Sequence, residues 1–128
     1  MVLHQIATGT SCLYVINYTS NHYLLIDTGA SYTIIDQKFA TEVLKLIPAG
    51  IPQPLFTPGG NQLMVRSINF QFMGITKKCF TGDFENFLRK FSTTTVGIIG
   101  TDFLHHLKAV IDIGKLTIEF AAIVSDRE

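Results

Sequence analysis

The sequence predicts a mainly β fold with two or three short helices. Three observations predict it. Apolar residues fall in short runs rich in valine, isoleucine, tyrosine and threonine, with little sustained helical spacing. Turn-forming clusters separate those runs, among them Thr19-Ser20-Asn21-His22, Thr57-Pro58-Gly59-Gly60-Asn61 and Gly114-Lys115. One apolar run, Leu24-Leu25-Ile26, leads straight into Asp27-Thr28-Gly29-Ala30-Ser31, the way a buried strand delivers a carboxylate to a tight loop.

In chain order, Ser11 to Tyr18 reads as a strand that turns at Thr19–His22 into a second strand, Tyr23 to Ile26. After the Asp27 loop, Tyr32 to Ile35 reads as another strand. Asp36 is placed to cap a helix over about Gln37 to Leu46, with Phe39, Val43, Leu44 and Ile47 as its apolar stripe. Pro48 to Pro54 reads as a proline-punctuated connection. Two strands between Leu55 and Met73 flank the Thr57–Asn61 tip. A short strand follows over Ile75 to Gly82, then an amphipathic helix over Phe84 to Phe91 started by Asp83. Val96 to Ile99 is a strand broken by Gly100, and Thr101 or Asp102 caps a helix through Leu107. A last hairpin pairs Ala109–Ile113 with Leu116–Phe120.

At 128 residues the chain is expected to form a single domain, 1–128, with room for a real core. Ten basic and ten acidic side chains cancel, so no long-range field would gather nucleic acid, and none is expected as partner. No apolar run approaches the roughly 20 residues that span a bilayer, so no membrane partner is expected. Met1-Val2-Leu3-His4-Gln5 lacks the basic start of a secretory signal. Cys12 and Cys79 lie far apart with no CxxC spacing and read as reduced thiols, which points to a cytoplasmic location.

The chemistry rests on Asp27. Two carboxylates about 3 Å apart cannot both ionise, and such a pair shares one proton, as in the aspartic proteases. The charged member draws a proton from water while the neutral member protonates the scissile carbonyl. The chain holds one such loop, so the second carboxylate must come from a second copy. Leu24, Leu25 and Ile26 would anchor the loop. Thr28 offers a hydroxyl for a symmetric contact, Gly29 allows close approach, Ala30 leaves room for substrate, and Ser31 ties down the loop end. His105-His106 is a poor metal pair, because helix neighbours point about 100° apart. No metal or other cofactor is expected.

With Val96-Gly97-Ile98-Ile99-Gly100-Thr101-Asp102-Phe103-Leu104 added, the chain resembles the retropepsin-like aspartic proteases, and among them the small bacterial members. In that family an Asp-Thr/Ser-Gly loop is braced by a later apolar-apolar-glycine segment. Asp27-Thr28-Gly29 matches the first and Ile98-Ile99-Gly100 the second. Val110-Ile111-Asp112-Ile113-Gly114-Lys115-Leu116-Thr117-Ile118 resembles the closing hairpin of the bacterial members. The likeness implies a closed barrel or β-sandwich with one half-site per chain. It implies an aspartic endopeptidase that is a homodimer acting on protein or peptide substrate. It also implies a flap whose tip falls at Pro58, Gly59 and Gly60. Leu116 to Val124 is a candidate for the dimer interface. One departure stands out. Retroviral members pair an acid two residues after the loop glycine with an arginine after the later glycine, whereas this chain has Ser31 and Thr101 there. A non-catalytic peptide-binding or dimerisation module is the alternative.

Overall fold

The computed structural model describes residues 1–8, 11–56, 60–92 and 94–121. Its centre is an eight-stranded mixed sheet. Strands β1 (His4–Thr8), β2 (Ser11–Thr19) and β3 (His22–Ile26) form an antiparallel meander. Strand β8 (Thr95–Ile99) lies parallel to β3 and inserts between it and β4 (Ile34–Asp36). Beyond β4 come β7 (Ile75–Gly82), β6 (Gln62–Phe72) and β5 (Ala49–Phe56).

The paired apolar residues explain the layering. Successive strand residues point to opposite faces, so Leu24/Leu25, Ile34/Ile35 and Ile98/Ile99 each send one side chain to either side. Leu24, Ile35 and Ile99 join the larger core. There they meet Phe103, Leu104 and Leu107 from helix α2 (Thr101–His106) and its end. Leu25, Ile34 and Ile98 join the smaller core with Val65, Phe84 and Leu88, the last from helix α1 (Glu85–Leu88). A strand buried on both faces reads as a continuous apolar run, as these do.

Strands β9 (Ala109–Asp112) and β10 (Thr117–Phe120) form the expected hairpin as a separate sheet, with Ala109 opposite Phe120 and Asp112 opposite Thr117. Asp112 Oδ1 accepts the Lys115 N–H at 3.0 Å across its turn. The free side of β10 is covered by the same chain. Leu3 N–H donates to Leu116 O, and Ile118 N–H donates to Met1 O, each at 2.9 Å. Residues 116–118 therefore carry backbone partners on both sides within one chain, and the last part of the expected interface segment, 122–124, lies outside the described residues.

Several expectations need correction. The sheet does not close into a barrel: β1 and β5 are its two edges. Residues 49–54 are not a bare connection but most of strand β5. Pro52 and Pro54 lack an N–H, which an edge strand tolerates and a closed barrel does not. The helix expected over Gln37–Leu46 does start at Gln37, but it is shorter and only 37–38 are α-helical; Phe39–Val43 is a π-helical turn, closed by Leu44 N–H to Phe39 O at 3.1 Å. Its wider period rotates the stripe, so Phe39 is buried while Val43 and Ile47 face solvent. Asp36 is buried and holds two amides, Lys38 N–H at 3.2 Å and Phe84 N–H at 3.0 Å. Asp83 caps nothing, since α1 follows Phe84 without a side-chain cap. Gly100 stands at the start of α2, so Thr101 and Asp102 lie inside its first turn.

Candidate active site

Strands β3 and β8 end side by side, with Leu24 opposite Gly97, Leu25 opposite Ile98 and Ile26 opposite Ile99. This pairing brings Asp27 and Gly100, 73 positions apart in sequence, to the same end of the sheet. Gly97 is small for a packing reason. A Cβ there would lie 2.7 Å from Ile34 O and from Ile35 Cδ1, so β8 could not sit this close to β4 with a larger residue.

The loop that follows is docked at both ends. The Asp27 N–H donates to Ile99 O at 3.0 Å, continuing the strand pairing by one step. Ala30 N–H returns to Asp27 O at 3.2 Å and closes the turn. Ala30 O then accepts the Thr101 N–H at 2.8 Å and the Thr101 hydroxyl at 3.2 Å. Ile98 and Ile99 are buried beneath, and Gly100 fits where a Cβ would stand 2.7 Å from Ala30 O and 2.9 Å from Tyr32 C and O.

The carboxylate of Asp27 is half-buried. Its Oδ1 accepts the Gly29 N–H at 2.9 Å, and no donor among the described residues reaches Oδ2. A Cβ on Gly29 would sit 3.3 Å from Oδ1, so glycine here keeps the carboxylate uncrowded. Its backbone is outside the left-handed region, and conformational freedom is not what the position requires. Thr28 is exposed, with no partner among the described residues. The result is one carboxylate oxygen held by the loop and one with no donor among the described residues, followed in the chain by an exposed threonine.

Ser31 does not tie down the loop end as expected. It is exposed and makes no hydrogen bond to the described residues. That work falls to Thr33, which the sequence reading passes over, and to Asp102, which it takes chiefly as a helix cap with a bracing role near the loop as the alternative. Thr33 is fully buried, and its hydroxyl accepts the Gly100 N–H at 3.0 Å. Asp102 receives the Thr33 hydroxyl at 2.7 Å and the Thr33 N–H at 2.9 Å. The only local hint was an acid in the first turn after the apolar-apolar-glycine segment.

Of the expected flap tip, Pro58 and Gly59 lie outside the described residues. Gly60 is described, with φ +81° and open space around its Cβ position. The β5–β6 hairpin that carries it exposes Phe56 and Met64. A cleft of about 350 Å³ opens at the far end of β3, lined by His22, Phe39, Arg89 and Thr95 among others. It lies one strand length, about 17 Å, from the Asp27 end. Among the described residues no cluster of three or more His, Cys, Asp or Glu is placed to hold a metal ion. His105 and His106 are both exposed. No helix among the described residues is long and apolar enough to cross a membrane.

No protein-family model matches the chain. No curated protein sequence matches it either. Solved structures do. A retropepsin-like aspartic protease from Rickettsia conorii superposes with a TM-score of 0.50 at 19% identity, covering 93% of this chain and 99% of that one. The retroviral protease-like domain of Ddi1 from Leishmania major gives 0.47 at 14% identity, covering 96% and 86%. EIAV protease, complexed with the inhibitor HBY-793, gives 0.46 at 16% identity, covering 87% and 91%. The likeness to the Rickettsia conorii structure puts the fold in the mainly β, retropepsin-like class, though built on an open sheet.

Proposed function

We propose that this protein is an aspartic endopeptidase whose active site forms between two copies of the chain. The observation that carries the reading is the state of Asp27. It emerges from a doubly buried strand pair, its loop is hydrogen-bonded at both ends, the Gly29 N–H holds one oxygen, the other receives no donor among the described residues, and Thr28, next in the chain, is exposed. Such an arrangement is half of a proton-sharing pair. A second Asp27, related by a twofold axis, supplies the other half.

In the dimer, one carboxylate is ionised and its partner protonated, because like charges this close suppress each other's ionisation. The ionised member takes a proton from a water molecule lodged between them. The hydroxide attacks the scissile carbonyl carbon as the protonated member delivers its proton to the carbonyl oxygen. Collapse of the tetrahedral diol breaks the C–N bond: the carboxyl that gained the water proton gives it to the leaving nitrogen, and the other carboxylate takes a diol hydroxyl proton, which restores the one shared proton. No covalent bond to the protein forms. Thr28 and Gly29 position the pair, and Ile98, Ile99 and Gly100 brace it from beneath. The β5–β6 hairpin, with Gly60 in its connection, covers an extended peptide and excludes water.

The test is cleavage of a mixed peptide library from acidic to neutral pH, with and without a statine-type transition-state mimic, alongside sedimentation at several protein concentrations. The parent is expected to cleave as a dimer, and Asp27→Asn to lose cleavage while keeping fold and dimer. An Asp27→Asn variant as active as the parent refutes the assignment. The absence of a charged pair at Ser31 and Thr101 favours a second reading, a domain that binds peptides or dimerises without cutting. Saturable peptide binding with no cleavage at any pH would establish it.

A further inference from the structure

We infer that Asp102 is the positioning residue of the Asp27 loop, acting through Thr33 and Gly100 in place of an acid–arginine pair. The inference rests on the proteolytic reading for its kinetic consequence and on the structure alone for its mechanical one.

The direction of each hydrogen bond follows from which atoms carry hydrogen. Thr33 has one hydroxyl proton, and it points at Asp102 Oδ1, 2.7 Å away, since a carboxylate only accepts. The lone pairs of that hydroxyl are then free to take the Gly100 N–H at 3.0 Å. The second carboxylate oxygen takes the Thr33 N–H at 2.9 Å, and Oδ1 also takes the Phe103 N–H at 2.8 Å. An anion terminates the chain of donors, which strengthens every link in it. Thr33 is fully buried and Gly100 is buried, so water does not compete there.

Gly100 is the point on which the loop hangs. The residue before it, Ile99, accepts the Asp27 N–H; the residue after it, Thr101, donates twice to Ala30 O. Both ends of the stretch 27–30 are therefore placed by the neighbours of one glycine, and Asp102 places that glycine. Lys77 of β7 fixes Asp102 in turn, its ammonium donating to the Asp102 carbonyl at 2.8 Å. The uncharged Ser31 and Thr101 leave the loop end without an ionic clamp. The part-buried Asp102–Thr33 contact does that work.

Asp102→Asn is the decisive variant. Its amide offers one acceptor oxygen where two are used, so its NH₂ must face a Thr33 donor. The expected result is kcat down at least tenfold with KM within twofold, and faster amide exchange at Asp27, Ala30, Gly100 and Thr101 than in the parent. Thr33→Ser keeps the hydroxyl and is expected to keep at least half of kcat. Thr33→Val keeps the shape, loses the hydroxyl and is expected to match Asp102→Asn. Unchanged kcat and unchanged exchange in Asp102→Asn overturn the inference, as does Thr33→Val behaving like Thr33→Ser. Should Asp102→Asn fail to fold, the Thr33 pair decides. Should the parent cleave no peptide, the proteolytic reading falls and exchange alone decides: acceleration confined to these amides supports the positioning role, and no acceleration overturns it.

Discussion

Replacing Gly100 by alanine tests whether the loop and the helix start are in contact as tightly as the structure places them. Gly100 has φ −98° and ψ −175°, extended backbone open to any residue, so alanine meets no conformational cost. The cost is steric. The new Cβ would lie 2.7 Å from Ala30 O and 2.9 Å from Tyr32 C and O, all backbone atoms that no rotamer change can remove. Comfortable carbon contacts begin near 3.5 Å, so the loop and the start of α2 must separate by several tenths of an ångström. Overpacking of this kind costs about 1–3 kcal/mol. At roughly 4 °C per kcal/mol for a domain of this size, the midpoint falls by about 4–12 °C. Gly114→Ala is the control, because its Cβ would make only an ordinary 3.5 Å contact with Asp112 Oδ1. It should stay within about 0.5 kcal/mol of the parent. Thermal and urea unfolding followed by circular dichroism, with midpoint and slope fitted separately, read both variants. On the proteolytic reading Gly100→Ala also loses on the order of a hundredfold in kcat, since displacing the acid spoils the reacting geometry. A Gly100→Ala midpoint equal to that of Gly114→Ala refutes the packing described above.

Two further outcomes follow from the cores. Burial, helped by the nearby Asp102 carboxylate, pushes the Cys79 thiol from 9.0 up to about 12. The folded state thus keeps a proton that the unfolded state gives up: the contribution is complete below about pH 9 and is lost as pH climbs toward 12. Stability should fall over that window by up to about 1.4 kcal/mol per pH unit, and the slope should shrink in Cys79→Ala. Denaturant titrations at pH 8, 9 and 10 check this, and native alkylation should label exposed Cys12 but not Cys79. Phe103 is fully buried, with its ring edge-on to Phe70 at 5.9 Å and to Phe72 at 6.2 Å. Phe103→Ala should cost about 3–5 kcal/mol in urea unfolding, and a loss below 1 kcal/mol would show that α2 is not seated on this core.

What the sequence made legible is what is local. Leu24-Leu25-Ile26 before Asp27, and Ile98-Ile99 before Gly100, are doubly apolar because both faces of those strands are covered, and the pattern reads directly as buried strand. The β9–β10 hairpin is legible for a similar reason, two apolar runs around a glycine turn. Strand β1 went unread. His4-Gln5-Ile6-Ala7-Thr8 has little alternation of its own and is a strand because β2 lies beside it. Strand β5 was hidden by Pro52 and Pro54, which an outer edge accommodates. The π-helical turn at Phe39–Val43 defeats a helical wheel, since its spacing is not the one the wheel assumes. Thr33 and Asp102 stand 69 positions apart, and no window of sequence contains both. Their bond becomes visible only after β3, β8 and β4 are stacked.

The parallel pairing of β3 and β8 acts as a ruler. From Leu24 to Asp27 and from Gly97 to Gly100 the count is the same, three steps along neighbouring tracks. One residue added to or deleted from either track would slide the acid about 3.3 Å past its support and turn every side chain on that track to the opposite layer. Side chains along these two strands are therefore freer to vary in kind than the strands are to vary in length.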